Sequence, residues 1–254
     1  MSDFSIVIPM FNAFLSIEKT LESCTNQTYI PKEIIIVDDW STDKSLQIVH
    51  QWKKQYIGSI TIFIEQLKQN SGPSKARNRG WELATSDYVA FLDADDCFVP
   101  EKLETVHKVL DDKKDVILLG HNYTIGSVYE QSSEGLEQLY TKDFLKKNYF
   151  TTSAVVVKRE IEERFDETMR YTEDQDLFLR LTQKYDKTYY LKQALVLRDR
   201  GMNEEGGLSG NLWAMRKGEI KMYYKYCKST RTMLLLPLFA SFSLSKHVLK
   251  MIKG

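Results

Sequence analysis

The sequence predicts an α/β fold with a mostly parallel, Rossmann-like central sheet flanked by helices. Several apolar runs are too short for helices and show no alternation, which is typical of strands buried on both faces. Apolar residues at helical spacing separate these runs, and such alternation predicts parallel strands joined by right-handed crossovers. With 254 residues, 43% of them hydrophobic, the chain is long enough to bury a large core.

The elements follow from these patterns in chain order. Strands are predicted at residues 4–9, where Pro9 ends the strand, and at 33–37, 60–64, 88–93, 116–119, 154–157, 189–191 and 194–197. Helices are predicted after the first two strands, from Ser74 onward, near 103–110, at 135–147 and from a capping-box pattern at 172–175. Residues 122–129 are expected to be extended, and the glycine-rich residues 199–210 to form a mobile loop. Without an internal repeat or linker, we predict one domain, residues 1–210, and a helical tail, residues 211–254.

Charge and cysteine content narrow the function classes. Lys plus Arg and Asp plus Glu both number 35, which argues against a nucleic-acid-binding protein. Three scattered cysteines without metal-ligand spacing suit a reducing compartment. A strand that begins at Phe4 leaves no secretion signal, and no apolar stretch reaches the ~20 residues of a membrane span. We therefore expect a cytoplasmic protein.

The tail has a distinct composition. Residues 211–254 hold nine of the Lys and Arg residues and one acid, Glu219, which suggests contact with something anionic. Within the tail, residues 232–245 carry no charge and are mostly large and apolar. This pattern predicts a helix that lies in a membrane interface, on the inner face of the cell membrane, or packs on a partner. The alternative is that the helix packs on the domain's own surface.

Three of the predicted strands are followed by polar residues: Pro9 and Asn12, Asp38 and Asp39, and Asp93, Asp95 and Asp96. In a parallel sheet these ends share one edge, where open α/β folds bind ligands. Three neighbouring carboxylates repel one another unless a cation lies between them, and Mg²⁺ or Mn²⁺ bridging to a substrate phosphate is the simplest solution. The alternative is a polar turn before the helix near Pro100. Because neither common glycine-rich phosphate loop is present, metal and side chains such as Arg77 or Lys75 must hold the phosphate.

Five sequence blocks in order resemble the family 2 glycosyltransferases: SIVIPMFN at 5–12, IVDDWSTD at 36–43, ARNRG at 76–80, FLDADD at 91–96 and TED at 172–174. The resemblance covers roughly residues 4–210. It implies the GT-A fold and inverting transfer of one sugar from a nucleotide sugar, UDP-linked, to a glycan or lipid-linked acceptor in bacterial-type surface polysaccharide assembly. It also implies Mn²⁺ or Mg²⁺ as cofactor.

The resemblance implies a role for each matching residue. Nucleotide-sugar contacts fall to Pro9, Phe11, Asn12, Asp38, Asp39, Arg77 and Asp93. Among these, Phe11 packs on the base and Asp39 hydrogen-bonds uracil. Asp95 is the metal ligand, with Asp93 in support. Asp174 matches the catalytic base that takes a proton from the acceptor hydroxyl, and Glu173 supports it.

The chain also departs from the family pattern. Many relatives carry Arg-x-His in the late loop, where this chain reads Arg198-Asp-Arg200 and lacks the histidine. If that histidine normally helps to bind metal or diphosphate, Arg200, Asn203 or a loop glutamate must substitute for it here, or the contact is absent. A phosphatase of the haloacid dehalogenase type and a sugar nucleotidyltransferase fit less of the sequence. The former expects Thr or Val where Cys97 stands, and the latter needs a glycine-rich basic loop near the N-terminus. A non-catalytic nucleotide-sugar-binding or scaffold protein is the main alternative.

Overall fold

A computed structural model describes residues 2–126, 135–198 and 210–253, with side chains up to residue 246. The strands are β1 (Phe4–Met10), β2 (Glu33–Asp38), β3 (Thr61–Gln66), β4 (Tyr88–Phe91), β5 (Asp96–Phe98), β6 (Leu118–Ile125), β7 (Leu136–Gln138), β8 (Val155–Lys158) and β9 (Thr188–Arg198). The helices are α1 (Ile17–Thr25), α2 (Ser45–Gln55), α3 (Pro73–Leu83), α4 (Lys102–Asp112), α5 (Thr141–Phe144), α6 (Glu173–Lys184), α7 (Leu212–Ser229) and α8 (Leu236–Lys253).

These strands form a single sheet in the order β3-β2-β1-β4-β8-β6-β9-β5, with β7 beside β9. The first four are parallel, as predicted, and so are β6 and β9. The remaining neighbours, β4 with β8, β8 with β6, and β9 with β5 and β7, are antiparallel. The predicted α/β fold is confirmed, and its sheet is mixed, with the longest parallel part in the N-terminal half.

The apolar strands separate two layers of core. On β2, Ile34 and Ile36 pack into one layer while Ile35 and Val37 pack into the other. Because successive side chains of a strand point to opposite faces, an unbroken apolar run is required where helices cover both faces. The sequence pattern that predicted the central strands therefore reports burial on both sides of the sheet.

The first strand extends one residue beyond its predicted end at Pro9. Odd-numbered residues of β1 face β4, as the bond from the Leu92 amide to the Val7 carbonyl shows. The pairing of β4 with β1 ends at Phe91, so no partner on that side needs an amide proton from residue 9. Proline, which has no backbone N–H, is tolerated there for this reason.

The second half of the chain corrects several predicted elements. The predicted helix at 135–147 is wrong, because residues 136–138 form β7 and only Thr141–Phe144 is helical. The strands predicted at 189–191 and 194–197 are one strand, β9, with an irregular register opposite residues 121–124. The capping box is also wrong: Thr172 has φ 58° and its hydroxyl donates to the Tyr171 carbonyl. The late loop at 199–209 and the end of the segment at 122–129 lie outside the described residues.

The tail forms two packed helices. Met222 and Tyr223 of α7 join the core layer that contains the apolar residues of α6, and Phe239 of α8 stacks on Tyr223 with ring centroids 4.9 Å apart. The buried Glu219 accepts a hydrogen bond from Ser243 at 2.7 Å and pairs with Arg216 and Lys246. The helices described here include none that is both long and apolar enough to cross a bilayer. The domain boundary at residue 210 stays a prediction.

Candidate active site

The carboxyl ends of β1, β2 and β4 bring most of the predicted residues to one edge of the sheet. Strands β1 and β2 continue pairing there through the Asp39 amide, which donates to the Met10 carbonyl at 2.7 Å. Arg77, from α3, reaches the acid that follows β4 and also the first residue of α6. The site therefore has a part beside β1 and β2 and a part between β4 and α6.

In the first part, Asn12 adopts a left-handed backbone conformation with φ 50°. Its side-chain oxygen accepts the Thr42 amide at 2.9 Å, and its own amide donates to the Ser41 hydroxyl at 2.9 Å. These bonds fix the turn after β1 against the turn after β2. The neighbouring Phe11 ring, 48% exposed, is left at the surface of the same edge.

The two acids at the carboxyl end of β2, Asp38 and Asp39, have different hydrogen-bond partners within the protein. Both oxygens of Asp39 accept backbone amides, from Ser71 and Gly72, at 2.7 Å each. Burial raises the pKa of Asp39, and these two bonds act against that effect. Asp38 is fully buried and accepts the Ser41 amide and the Gln66 side-chain amide. Asp38 therefore holds the turn, while Asp39 ties the start of α3 to the end of β2.

Arg77 is the central side chain of the second part. Its Nη2 donates to Asp93 Oδ1 at 2.7 Å and its Nη1 donates to Glu173 Oε1 at 3.1 Å. The guanidinium is buried and lies 5.5 Å from the centre of the Phe165 ring. Burial disfavours its charge, but Asp93 and Glu173 outweigh burial and raise the pKa of Arg77. The sequence assigned Arg77 to the diphosphate; in the structure it links two acids of the site.

The acidic motif, Asp93, Asp95 and Asp96, follows β4 and ends at the first residue of β5. The Ser153 hydroxyl accepts the Asp93 amide at 3.0 Å and donates to Asp96 Oδ2 at 2.6 Å. Burial, followed by the charge of Asp93, raises the pKa of the Asp96 carboxyl. Asp95 is partly exposed, whereas Asp96 is buried. Asp96 is thus the structural acid of the three, and Ser153, which no sequence motif marks, positions the group.

The predicted base lies at the start of α6. Asp174 Oδ2 accepts the Asn148 side-chain amide at 2.7 Å, and Oδ1 accepts the Gln175 amide at 2.7 Å. Burial is the main reason that the pKa of Asp174 and that of Glu173 are both raised, and the charge of Arg77 lowers each of them. Asn148 was not identified from the sequence, because it lies in an irregular segment with no motif.

The acids of the motif suit a divalent cation of the oxygen-binding type. Among the residues described, no three His, Cys, Asp or Glu side chains converge on one point as a metal cluster. Mg²⁺ sites commonly use only one or two carboxylates, with substrate phosphates and water completing the shell. Asp93 and Asp95 provide such a pair, and Arg77 occupies only one oxygen of Asp93.

In this structure the strand ends of an α/β sheet collect carboxylates beside a buried arginine. Proteins with an open α/β sheet bind their ligands at this edge, so the chain belongs to that class of ligand-binding protein. The family model for "Glycosyl transferase family 2" matches residues 5–191, and the chain belongs to that family. The family that the five sequence blocks indicated is therefore confirmed.

A relative and two solved structures illustrate the similarity. TuaG of Bacillus subtilis, named as a teichuronic acid biosynthesis glycosyltransferase, is 30% identical over 221 residues, which is 84% of each chain. Staphylococcus aureus TarS in complex with UDP-GlcNAc matches 96% of this chain and 73% of its own, with TM-score 0.72 and 20% identity. A mannosyltransferase from Pyrobaculum calidifontis in complex with GDP-Man and Mn²⁺ matches 100% of this chain and 78% of its own, with TM-score 0.68 and 16% identity.

These likenesses differ in what they establish. The two structures are below 25% identity and bear on the fold, confirming the predicted GT-A architecture. Two further relatives, 42% and 40% identical, are matched over only 32% and 39% of their own length. The chain thus spans a minor part of those proteins.

Proposed function

We propose that this protein is an inverting glycosyltransferase that moves one sugar from a UDP-linked donor to a hydroxyl of a glycan or lipid-linked acceptor. The observation that carries the proposal is the Arg77 bridge, which ties the donor-site acid Asp93 to Glu173, the neighbour of the base. Family membership and relatives named for teichuronic acid and poly(ribitol-phosphate) glycosylation support a role in bacterial-type surface polysaccharide assembly.

The nucleotide half of the donor lies beside β1 and β2 in this proposal. The exposed Phe11 ring offers a surface on which a base packs. Asp39 accepts one amide on each oxygen and keeps lone pairs that can accept a uracil N–H. Pro9 and Asn12 border this part, and Asp38 acts by holding the turn.

The diphosphate of the donor lies over the acidic motif in this proposal. Asp95, with Asp93 beside it, would hold Mn²⁺ or Mg²⁺, and the cation supplies positive charge for the departing nucleoside diphosphate. The solved mannosyltransferase with bound Mn²⁺ supports the choice of cofactor. Arg77 contributes by fixing Asp93, because both of its Nη atoms already donate to carboxylates.

The acceptor binds at the start of α6 in this proposal. Asp174 takes the proton of the acceptor hydroxyl as that oxygen attacks the sugar. A carboxylate whose pKa is raised by burial is a stronger base than one in water. Asn148 and the Gln175 amide orient the carboxylate, and Glu173 keeps Arg77 beside it.

The test is UDP release from a panel of UDP-sugars with Mn²⁺, compared among three variants. We expect Asp95→Asn to lose metal-dependent turnover, and Asp174→Asn to lower kcat by about 10²–10⁴ while donor binding by thermal shift is retained. Asp112→Asn, an exposed surface acid, is the matched control.

Two outcomes would contradict the proposal. Donor binding without turnover toward any acceptor would favour the non-catalytic scaffold. Full activity in Asp174→Asn would remove Asp174 from the role of base.

A further inference from the structure

The end of the tail exposes six large apolar side chains that are close together in sequence. Leu234 is 96% exposed and Leu238 is 65% exposed, one helical turn further along. The surface, called here the apolar tail surface, comprises Met233, Leu234, Leu235, Leu238, Phe242 and Leu244. Exposed apolar side chains that are contiguous, rather than scattered singly, mark a surface that contacts something else.

The opposite side of α8 is already occupied. Phe239 stacks on Tyr223, Ser243 is fully buried against Glu219, and Lys246 pairs with the same carboxylate. These contacts recur at helical spacing and fix the rotation of α8 on α7. The apolar tail surface is therefore turned away from the domain, while the opposite face of α8 packs on α7.

The charges of the tail itself are almost all positive. Glu219, the one acid in residues 211–254, is buried and paired with Arg216 and Lys246. The exposed face of α7 carries aromatic and basic residues at helical spacing: Trp213, Lys217, Tyr224 and Lys228. Lys221 lies on the same face and donates to Thr168 of the domain. Tyrosine, tryptophan and lysine together are the side chains that suit the level of lipid headgroups.

We propose that the apolar tail surface inserts into the interface of an anionic lipid bilayer, with Lys217 and Lys228 of α7 facing the headgroups. A second copy of this chain fits less well, because a symmetric contact would bring two positively charged tails together. An anionic membrane attracts the lysines and accepts the leucines at once. The helix lies in the interface, since it is not apolar enough to span.

Docking of the tail also orients the active site. Lys225 of α7 pairs with Asp176 of the base helix at 2.6 Å and with Asp166 at 2.8 Å. The α7 backbone at Gly218 lies so close to the start of α6 that an added Cβ would be 2.6 Å from the Tyr171 carbonyl. The base helix and the membrane-facing helices thus form one packed unit, which holds Asp174 at a fixed orientation to the bilayer.

The test is co-sedimentation of the full chain with phosphatidylcholine vesicles, with and without phosphatidylglycerol. We expect binding to the anionic vesicles, weakened by salt, and a fall of about tenfold or more in the partition coefficient for Leu234→Ser with Leu238→Ser. Ile57→Ser removes a similarly exposed apolar side chain, 98% exposed, from the segment after α2 and serves as the matched control. The leucine variant keeps donor binding by thermal shift, which separates this result from failure of the proposed activity.

A charge variant completes the design. Lys217→Gln, Lys228→Gln and Arg231→Gln together are expected to remove the preference for anionic vesicles while leaving the apolar surface intact. Equal sedimentation of the wild type and the leucine variant would overturn the proposal. So would a dimer, measured by light scattering, that the leucine substitutions dissociate, because the surface would then be an interface between copies.

Discussion

At the scale of single residues, the site depends on how Arg77 and the acids share charge. A buried arginine is stable only if carboxylates compensate for its lost hydration, and Asp93 and Glu173 do so at 2.7 and 3.1 Å. The same charge acts on the base, because Arg77 lowers the pKa of Asp174 against the effect of burial. Arg77 therefore both holds Asp93, the proposed donor-site acid, and favours the ionised form of Asp174, the proposed base.

This arrangement predicts a pH effect. In Arg77→Met the pKa of the Asp174 base rises, since the positive charge that favoured the carboxylate is gone. The base acts in its deprotonated form, so kcat should fall more at pH 6 than at pH 8.5, and the acidic limb of the profile should move to higher pH. Arg79→Met, on the same helix but paired with the surface acids Glu65 and Glu82, should leave the profile in place. Parallel loss at all pH values would mean that Arg77 acts on structure alone.

The residue scale also shows what the sequence could and could not reveal. Two of the acids, Asp39 and Asp93, follow apolar strands, and Asp174 lies at the start of a helix. Residue type and position in the sequence are therefore enough to identify them as candidate site residues. Ser153 acts through two hydrogen bonds, made across 60 and 57 positions of sequence, and Asn148 acts through one made across 26. A serine or asparagine in an irregular segment carries no periodic or motif signal, and only the folded arrangement identifies it.

At the scale of elements, local sequence patterns predict a strand correctly where both of its faces are buried. They fail where a strand forms by pairing with residues that are far away in the sequence. The apolar runs of β1, β2 and β4 need no knowledge of their neighbours. Strand β5 has three residues and exists because it pairs with β9, about a hundred positions later. Residues 135–147 have helical spacing, yet β9 draws 136–138 into the sheet. Tertiary pairing overrides local preference in both segments.

A close approach between two helices gives a prediction at this scale. Gly218 of α7 faces the start of the base helix, where an added Cβ would be 2.6 Å from the Tyr171 carbonyl and 2.7 Å from the Thr172 hydroxyl. Gly218→Ala should displace Asp174 and lower kcat by about 10–100-fold, because small misplacements of reacting groups are costly. Donor binding by thermal shift should change little. Lys217→Ala, the exposed neighbour, is the control, and equal kcat in both variants would contradict the prediction.

At the scale of the whole molecule, the tail and the domain are held together by buried polar contacts as well as by the core. Lys225 joins α7 to Asp166 and to the buried Asp176. The Tyr223 hydroxyl donates to the Leu145 carbonyl at 2.8 Å. Because α7 packs on the base helix in this way, we expect the described helices of the tail to unfold together with the sheet rather than as a separate unit.

The stability of this connection should depend on pH in a defined direction. Burial alone would raise the pKa of Asp166, but hydrogen bonds from Lys225 and Thr168 outweigh it and lower that pKa below its ordinary value. A carboxyl with a lowered pKa contributes stability above about pH 4, the unfolded value, and this contribution is lost as the pH falls through the folded value. Lys225→Met should therefore lower the free energy of unfolding by about 2 kcal/mol at pH 7. The difference from the wild type should shrink toward pH 2–3. Denaturant unfolding at pH 7 and at pH 2–3 measures this difference, and Lys228→Met, at an exposed position of the same helix, is the control. An equal loss of stability at the two pH values would show that packing of the Lys225 stem, not its charge, holds the tail.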